Sequence, residues 1–338
     1  MIFGRIHIIW FWLWLWQDFA GKVLVYSNDN LASAMPLTAG DIVGRAYRIV
    51  RSNIKLTFLT VLGPTLLICA AKIAIALGFG SGALSGAVKT LNNPAGIVAA
   101  VMGFVTLLIA AYWFYMTQLG LARVFMGYES DIKAALKFVN KQWFTLINLT
   151  LLSIVSVFAV LLPYMLTAIM VAMAFKGNKS ASAMIGLGFG LGAILPFILI
   201  CMISVAVSMA MVSIAFDKDS AFTKFKHAIG MVARAPFRTF GFLCLALISM
   251  SLLTAPLSTP LMVAVFAEAF FAKLVDGTMS KAHEVPVFLS IFIQIWESCV
   301  NVIASPLYHV AVALFYRDLL IRQEGVDLSA RLAALDGA

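Results

Sequence analysis

The sequence predicts an all-α fold, a polytopic membrane helix bundle with six core transmembrane helices. Three observations carry that expectation. Of 338 residues, 62% are hydrophobic and only 12% charged, whereas a soluble domain averages about 45–50% apolar and about 25% charged. The charges are segregated, for residues 90–122 and 180–216 contain no Asp, Glu, Lys or Arg. Six long apolar segments follow one another, at 56–80, 96–121, 144–175, 183–216, 239–272 and 286–316. A soluble core cannot enclose that much apolar surface, so hydrocarbon must be the solvent.

Residues 1–37 stand apart as an N-terminal segment and linker. Ile6 to Trp16 is an aromatic run between Arg5 and Asp18, shorter than the ~20 residues a spanning helix needs. Trp10, Trp12, Trp14 and Trp16 suit a segment lying at the interface; the alternative is an over-extended start, with Met35 as the first residue. Several of the later segments are longer than a bilayer requires, so tilting or kinking is expected. Pro64, Pro163, Pro196, Pro256, Pro260 and Pro306 are placed to kink them.

Cations set the orientation. Lys22, Arg45, Arg48, Arg51 and Lys55 precede the first span, Arg123, Lys133, Lys137 and Lys141 the third, and Lys218, Lys224, Lys226, Arg234 and Arg238 the fifth. Arg317, Arg322 and Arg331 follow the sixth. Those seventeen face five in the other connections: Lys89, Lys176, Lys179, Lys273 and Lys281. The imbalance predicts an inner (cytoplasmic) membrane protein with the basic joints and the C-terminus in the cytoplasm. It also accounts for the net charge of +9 without nucleic acid as a partner.

The joints resemble one another. The pairs Ala46/Val50, Ala135/Val139 and Ala228/Val232 are spaced by 89 and 93 residues. In that alignment Pro163 and Pro256 coincide, and Ala74 stands where the first copy has no proline. The expected membrane domain, 38–325, is therefore three parallel repeats of about 38–128, 129–218 and 219–325, each an amphipathic helix plus a transmembrane hairpin. A tail, 326–338, follows. In the first amphipathic helix, Ile42, Val43, Ala46, Tyr47, Ile49, Val50 and Ile54 fall within about 160° of each other, opposite Arg45, Arg48, Arg51 and Lys55. Thr38 and Asp41 have capping-box spacing. The second helix sets Lys133, Lys137 and Lys141 against Ile132, Val139 and Trp143. In the third, Lys226 intrudes on the apolar face. The seven cations of the first two helices are candidate contacts for anionic membrane lipid; the competing reading is topological stops packed on the bundle.

The chain's exit reads Tyr316, Asp318, Leu319, Arg322, Glu324, Gly325, Asp327 and Leu328 at the spacing Tyr-x-Asp-Leu-x-x-Arg-x-Glu-Gly-x-Asp-Leu. With the entry segment Asp41–Lys55, it resembles the bacterial membrane domain found fused to some glycerophosphodiester phosphodiesterases and also alone. Leu320 departs from that pattern, where Arg is usual. The resemblance spans about residues 38–330 and implies a six-helix membrane domain rather than an enzyme. The phosphodiesterase itself would be a soluble barrel of roughly 250 residues, and no stretch here accommodates one. Locally, Arg317 and Arg322 suit a helix carboxyl end, Gly325 a helix stop and Asp327 a new cap.

One polar face stands out within a span. Gln294, Glu297, Asn301, Ser305 and His309 recur at three- and four-residue spacing, so they share one side of a helix. Glu297 is expected near mid-bilayer, where a carboxylate must be neutral, paired or hydrated, and Lys72 is a candidate partner. The readings are a polar pathway or interhelical glue. Gly186, Gly188, Gly190 and Gly192 read as small-residue packing, and Cys69, Cys201, Cys244 and Cys299 as small buried hydrophobes. The histidines have no metal-site spacing, and no nucleophile elbow or phosphate loop is present, so no cofactor is expected. The three-repeat plan is similar to that of mitochondrial carriers, but Pro64, Pro163 and Pro256 lack the Pro-x-acidic-x-x-basic partners. The expected function is a non-catalytic scaffold or partner subunit in envelope or lipid-related processes, with a protein partner or a homo-oligomer in view. A transporter or channel is the alternative, and an intramembrane enzyme a third.

Overall fold

The structure, a computed structural model, describes residues 37–79, 94–174, 192–276 and 287–324. The N-terminal aromatic run, Gly186, Gly188, Gly190, Gly325 and Asp327 lie outside them. Among the described residues every regular element is an α-helix: α1 Ala39–Ser52, α2 Ile54–Phe79, α3 Pro94–Phe125, α4 Ile132–Asn140, α5 Trp143–Ala174, α6 Ile194–Ser213, α7 Ala221–Arg234, α8 Pro236–Asp276 and α9 Val287–Glu324. Six are long and apolar enough to cross a membrane. Among the described residues the order is short, long, long, three times over.

The short helices begin where side chains satisfy backbone N–H groups that the helix cannot. Thr38 Oγ1 accepts from Asp41 N at 3.2 Å while Asp41 Oδ2 accepts from Thr38 N at 3.1 Å, the reciprocal capping box the spacing predicted. Ser220 caps α7 through Thr223 N, and Asp131 accepts from Lys133 N at the start of α4. Ala46, Val50, Ala135, Val139, Ala228 and Val232 are all buried.

The buried arc is narrower than the apolar arc of the sequence. Ile42, Ala46, Ile49 and Val50 are buried, but Tyr47 and Ile54 are exposed because they lie at the arc's edge. Trp143 is exposed too, for α4 ends at Asn140 and a turn at Lys141–Gln142 starts α5 on a new phase. On α7 the expectation is corrected: Lys226 points outward, and Lys224 is the buried lysine. Pro196 also differs, since it lies in the first turn of α6, where its missing N–H costs no hydrogen bond. Pro64, Pro163, Pro256, Pro260 and Pro306 do lie inside helices. Cys69 is buried, Cys201 and Cys244 are half-buried, and Cys299 is exposed, correcting its assignment to a core.

The chain forms two compact units. One comprises residues 46–136 and 247–310. Its α2 and α3 run antiparallel, with Ala71 and Ile75, late in α2, against Gly103, early in α3. A Cβ at Gly103 would stand 2.8 Å from Ile75 Cγ1 and 3.0 Å from the Ala71 carbonyl oxygen, so only glycine permits this approach. The last turns of α3, Met116 through Phe125, are buried on every side. That helix ends in a Schellman motif: Gly127, at φ +78°, donates to Val124 O and Tyr128 N donates to Arg123 O.

The other unit comprises residues 37–45, 137–246 and 311–324 among those described. Here α5, α6 and α7 pack on one another. Gln142, just before α5, donates from Nε2 to Ile214 O just after α6 at 3.0 Å, so the two helices are antiparallel. Lys224 Nζ donates to Ser213 O at 3.1 Å and Asp217 O at 2.9 Å. A buried helix end leaves carbonyls short of partners; Gln142 supplies one to Ile214, and Lys224 adds a side-chain donor to Ser213 O, which also accepts from Asp217 N. Phe242 stacks on Phe315 at 4.1 Å and Phe216 on Tyr316 at 5.9 Å.

Elsewhere the apolar residues face outward. On α3 these include Val98, Val101, Met102, Phe104, Val105 and Leu108, and on α5 Leu151, Ile154, Val155, Phe158 and Leu162. Apolar exteriors of this kind belong against lipid.

Candidate functional site

The polar face of α9 meets α2. Lys72 Nζ lies 2.8 Å from Glu297 Oε2, with the side chains 32% and 49% exposed. One turn away on both helices, the Cys69 thiol reaches the Gln294 carbonyl oxygen at 3.7 Å. Ser298 Oγ donates to that same carbonyl at 2.7 Å. The side-chain oxygen of Gln294 is buried and accepts no hydrogen bond among the described residues. Trp296 Nε1 donates to Leu257 O in α8, which locks the rotation of this part of α9.

The five residues of the predicted face do not form one cluster. Gln294 and Glu297 join α2, whereas Asn301 is exposed. Ser305 and His309 form a separate polar step: His309 Nδ1 lies 2.9 Å from Ser305 O, and since a carbonyl only accepts, Nδ1 carries the proton. Tyr115 and Tyr308 contact the His309 ring edge-on at 6.1 and 5.7 Å. Glu297 and His309 are separated by twelve residues, about 18 Å of helix, too far for joint acid–base chemistry.

A second candidate is the basic surface of the short helices. Arg48, Arg51, Lys55, Lys133, Lys137 and Lys141 are exposed and Arg45 is half-exposed. Exposed aromatics stand where these helices hand over to the spans, at Trp143, Phe144 and Phe237, the last 91% exposed. Such residues suit the headgroup level of a bilayer.

The tail motif has a third, structural role. Asp318, its side chain 1% exposed, accepts from Leu37 N at 2.7 Å, from Arg238 Nη2 at 2.5 Å and from Arg322 Nε at 3.2 Å. The guanidinium groups of Arg238 and Arg322 both donate to Leu37 O as well. Gln323 Nε2 donates to Met231 O at 2.9 Å. Helix α9 thus continues to Glu324, eight residues past the end of its apolar segment at 316, because its last turns are polar but tethered. Arg317 is half-buried, and Glu324 closes the helix.

No family model, curated protein or solved structure matches this chain.

Lys224 and Arg238 were not singled out by sequence as site residues. The only signal available for Lys224 was a lysine three residues into a helix that follows a span, a position from which it can reach the span's last carbonyls.

Proposed function

We propose that the chain is a non-catalytic integral membrane module, a scaffold or partner subunit in envelope or lipid-related processes. It sits in the inner membrane with its basic joints and C-terminus in the cytoplasm. The observation that carries this reading is the partition on α1 and α4. Their apolar stripes, Ile42, Ala46, Ile49 and Val50 and Ile132, Ala135, Leu136 and Val139, are buried within the protein, and their cations face outward. The stripes are spent on packing, so the cations and the flanking aromatics are what remain for headgroups. Each cation at an anionic surface contributes about 1 kcal/mol. The cation imbalance supports the orientation. The recurring order of helices and the six buried Ala and Val positions support an origin by triplication, and the tail supports kinship with the phosphodiesterase-associated membrane domain.

Full-length protein in nanodiscs tests this reading. Replacing phosphatidylcholine by phosphatidylglycerol should raise the melting temperature, and Arg48, Arg51 and Lys137 changed together to Gln should remove that gain. A gain that survives the triple change removes the proposal.

A transporter or channel is the second reading, favoured by the Lys72–Glu297 pair within two spans. Glu297→Gln should then abolish proton or ion flux in proteoliposomes while the melt is preserved. Equal flux through both proteins, or none through either, rejects it.

A further inference from the structure

The charge-free lengths of the two helices that meet at Lys72 and Glu297 place the pair in depth. Between Lys55 and Lys72 residues 56–71 carry no charge, and neither do residues 298–316 between Glu297 and Arg317, apart from the half-buried His309. Those intervals correspond to about 25 Å and about 30 Å of helix, close to the ~30 Å of a hydrocarbon core. The contact with Lys72 thus draws Glu297 away from mid-bilayer to the boundary opposite the basic joints.

The pair is only half closed. Lys72 Nζ spends one of its three donors on Glu297 Oε2, and Glu297 retains its second oxygen. The buried Gln294 Oε1, one turn along α9, adds an acceptor with no hydrogen bond among the described residues. A buried amide oxygen without a partner calls for one. The seam therefore presents an ammonium beside a half-used carboxylate, with a further acceptor oxygen one turn along α9, at the depth where headgroups lie.

We propose that this seam binds the headgroup of a zwitterionic phospholipid that carries a primary ammonium, of the phosphatidylethanolamine type. The lipid phosphate lies on Lys72, and the lipid ammonium donates to Glu297 and Gln294. A choline headgroup has no N–H to give those oxygens, so the site discriminates against it. A lipid suits the seam better than a partner helix because the surrounding surface is apolar and open: Ile295 and Ile303 on α9 and Leu66 on α2 are exposed, within reach of acyl chains. The proposal depends on the spanning topology but not on the lipid contacts of the basic helices or on transport, so rejection of either leaves it standing.

The test uses full-length protein in phosphatidylcholine nanodiscs doped with phosphatidylethanolamine, with the lipid retained after ejection read by native mass spectrometry. The wild type should retain phosphatidylethanolamine in preference to phosphatidylcholine. Gln294→Met, which leaves the ion pair in place, should lower that preference about tenfold, the worth of one charge-assisted hydrogen bond. Glu297→Gln should lower it as far or further. Melting in detergent confirms that each variant is folded, and Gln294→Met keeps the test informative if Glu297→Gln is not. A wild type without headgroup preference, a folded Gln294→Met that keeps it in full, or a protein chain in place of lipid at the seam overturns the proposal.

Discussion

Arg238 and Asp318, 80 residues apart in sequence, meet at 2.5 Å. The carboxylate is almost wholly enclosed, and the arginine reaches past it to the backbone oxygen of Leu37. One buried acid thus fixes the start of α8, the end of α9 and the backbone that leads into α1.

Asp318→Ala should destabilise the protein by about 2–3 kcal/mol. The figure lies below that for a fully buried pair because both arginines retain access to water. Arg322→Ala should cost less than about 1 kcal/mol, since its side chain is more than one-third exposed. Equilibrium unfolding in mixed micelles measures both, and equal losses would show that the carboxylate is not the centre of the cluster.

Lys224 gives a pH signature. Burial lowers its pKa from the usual 10.5, with Asp217 and then Asp219 opposing the shift. The unfolded chain therefore binds more protons than the folded one between the lowered value and 10.5, and stability rises with pH across that window. Lys224→Met should erase the rise. It should also cost about 1–3 kcal/mol at neutral pH, because the Asp217 carbonyl loses its side-chain donor and the Ser213 carbonyl keeps only its backbone ones. Melting curves between pH 7 and 10 compare the two proteins; parallel curves would exclude a lysine titration.

Gly103→Val should separate α2 from α3. The added carbon meets both Ile75 and the rigid Ala71 carbonyl, a conflict worth about 1–3 kcal/mol. Gly44→Ala, where a Cβ meets nothing within 4 Å, should be neutral or slightly stabilising. Thermal unfolding distinguishes them, and similar behaviour would mean the helices approach less closely than the structure has them.

The cysteines report on exposure. Cys299 should react with a small maleimide in detergent while Cys69, buried against α9, stays protected. Mass spectrometry after timed labelling reads this out, and equal rates would place the α2–α9 seam open.

How legible these features were depends on the range of the interaction. Spans, caps and stripes are local. Apolar length exposes a spanning helix, a Thr and an Asp three residues apart expose a capping box, and the Ala and Val positions recur at helical spacing. The exposure of most joint cations was readable for the same reason, whereas the five polar residues of α9 share a helical spacing but only Gln294 and Glu297 meet α2. Helix phase was less readable. Tyr47 and Trp143 belong to the apolar arc on paper, yet packing covers only its centre, and a turn at Lys141–Gln142 resets the register.

By itself, then, the sequence determined the solvent, the number of spans and the positions of the short basic helices, because transfer of apolar side chains out of water is a sum over neighbouring residues. Only the tertiary structure decided which lysine of α7 is buried, which partners close Asp318, and that Lys72 lies against Glu297 with 225 residues between them. Those choices depend on where distant backbone segments come to rest. A hydrogen bond has to be satisfied at about 3 Å, a condition that no local pattern of residues encodes.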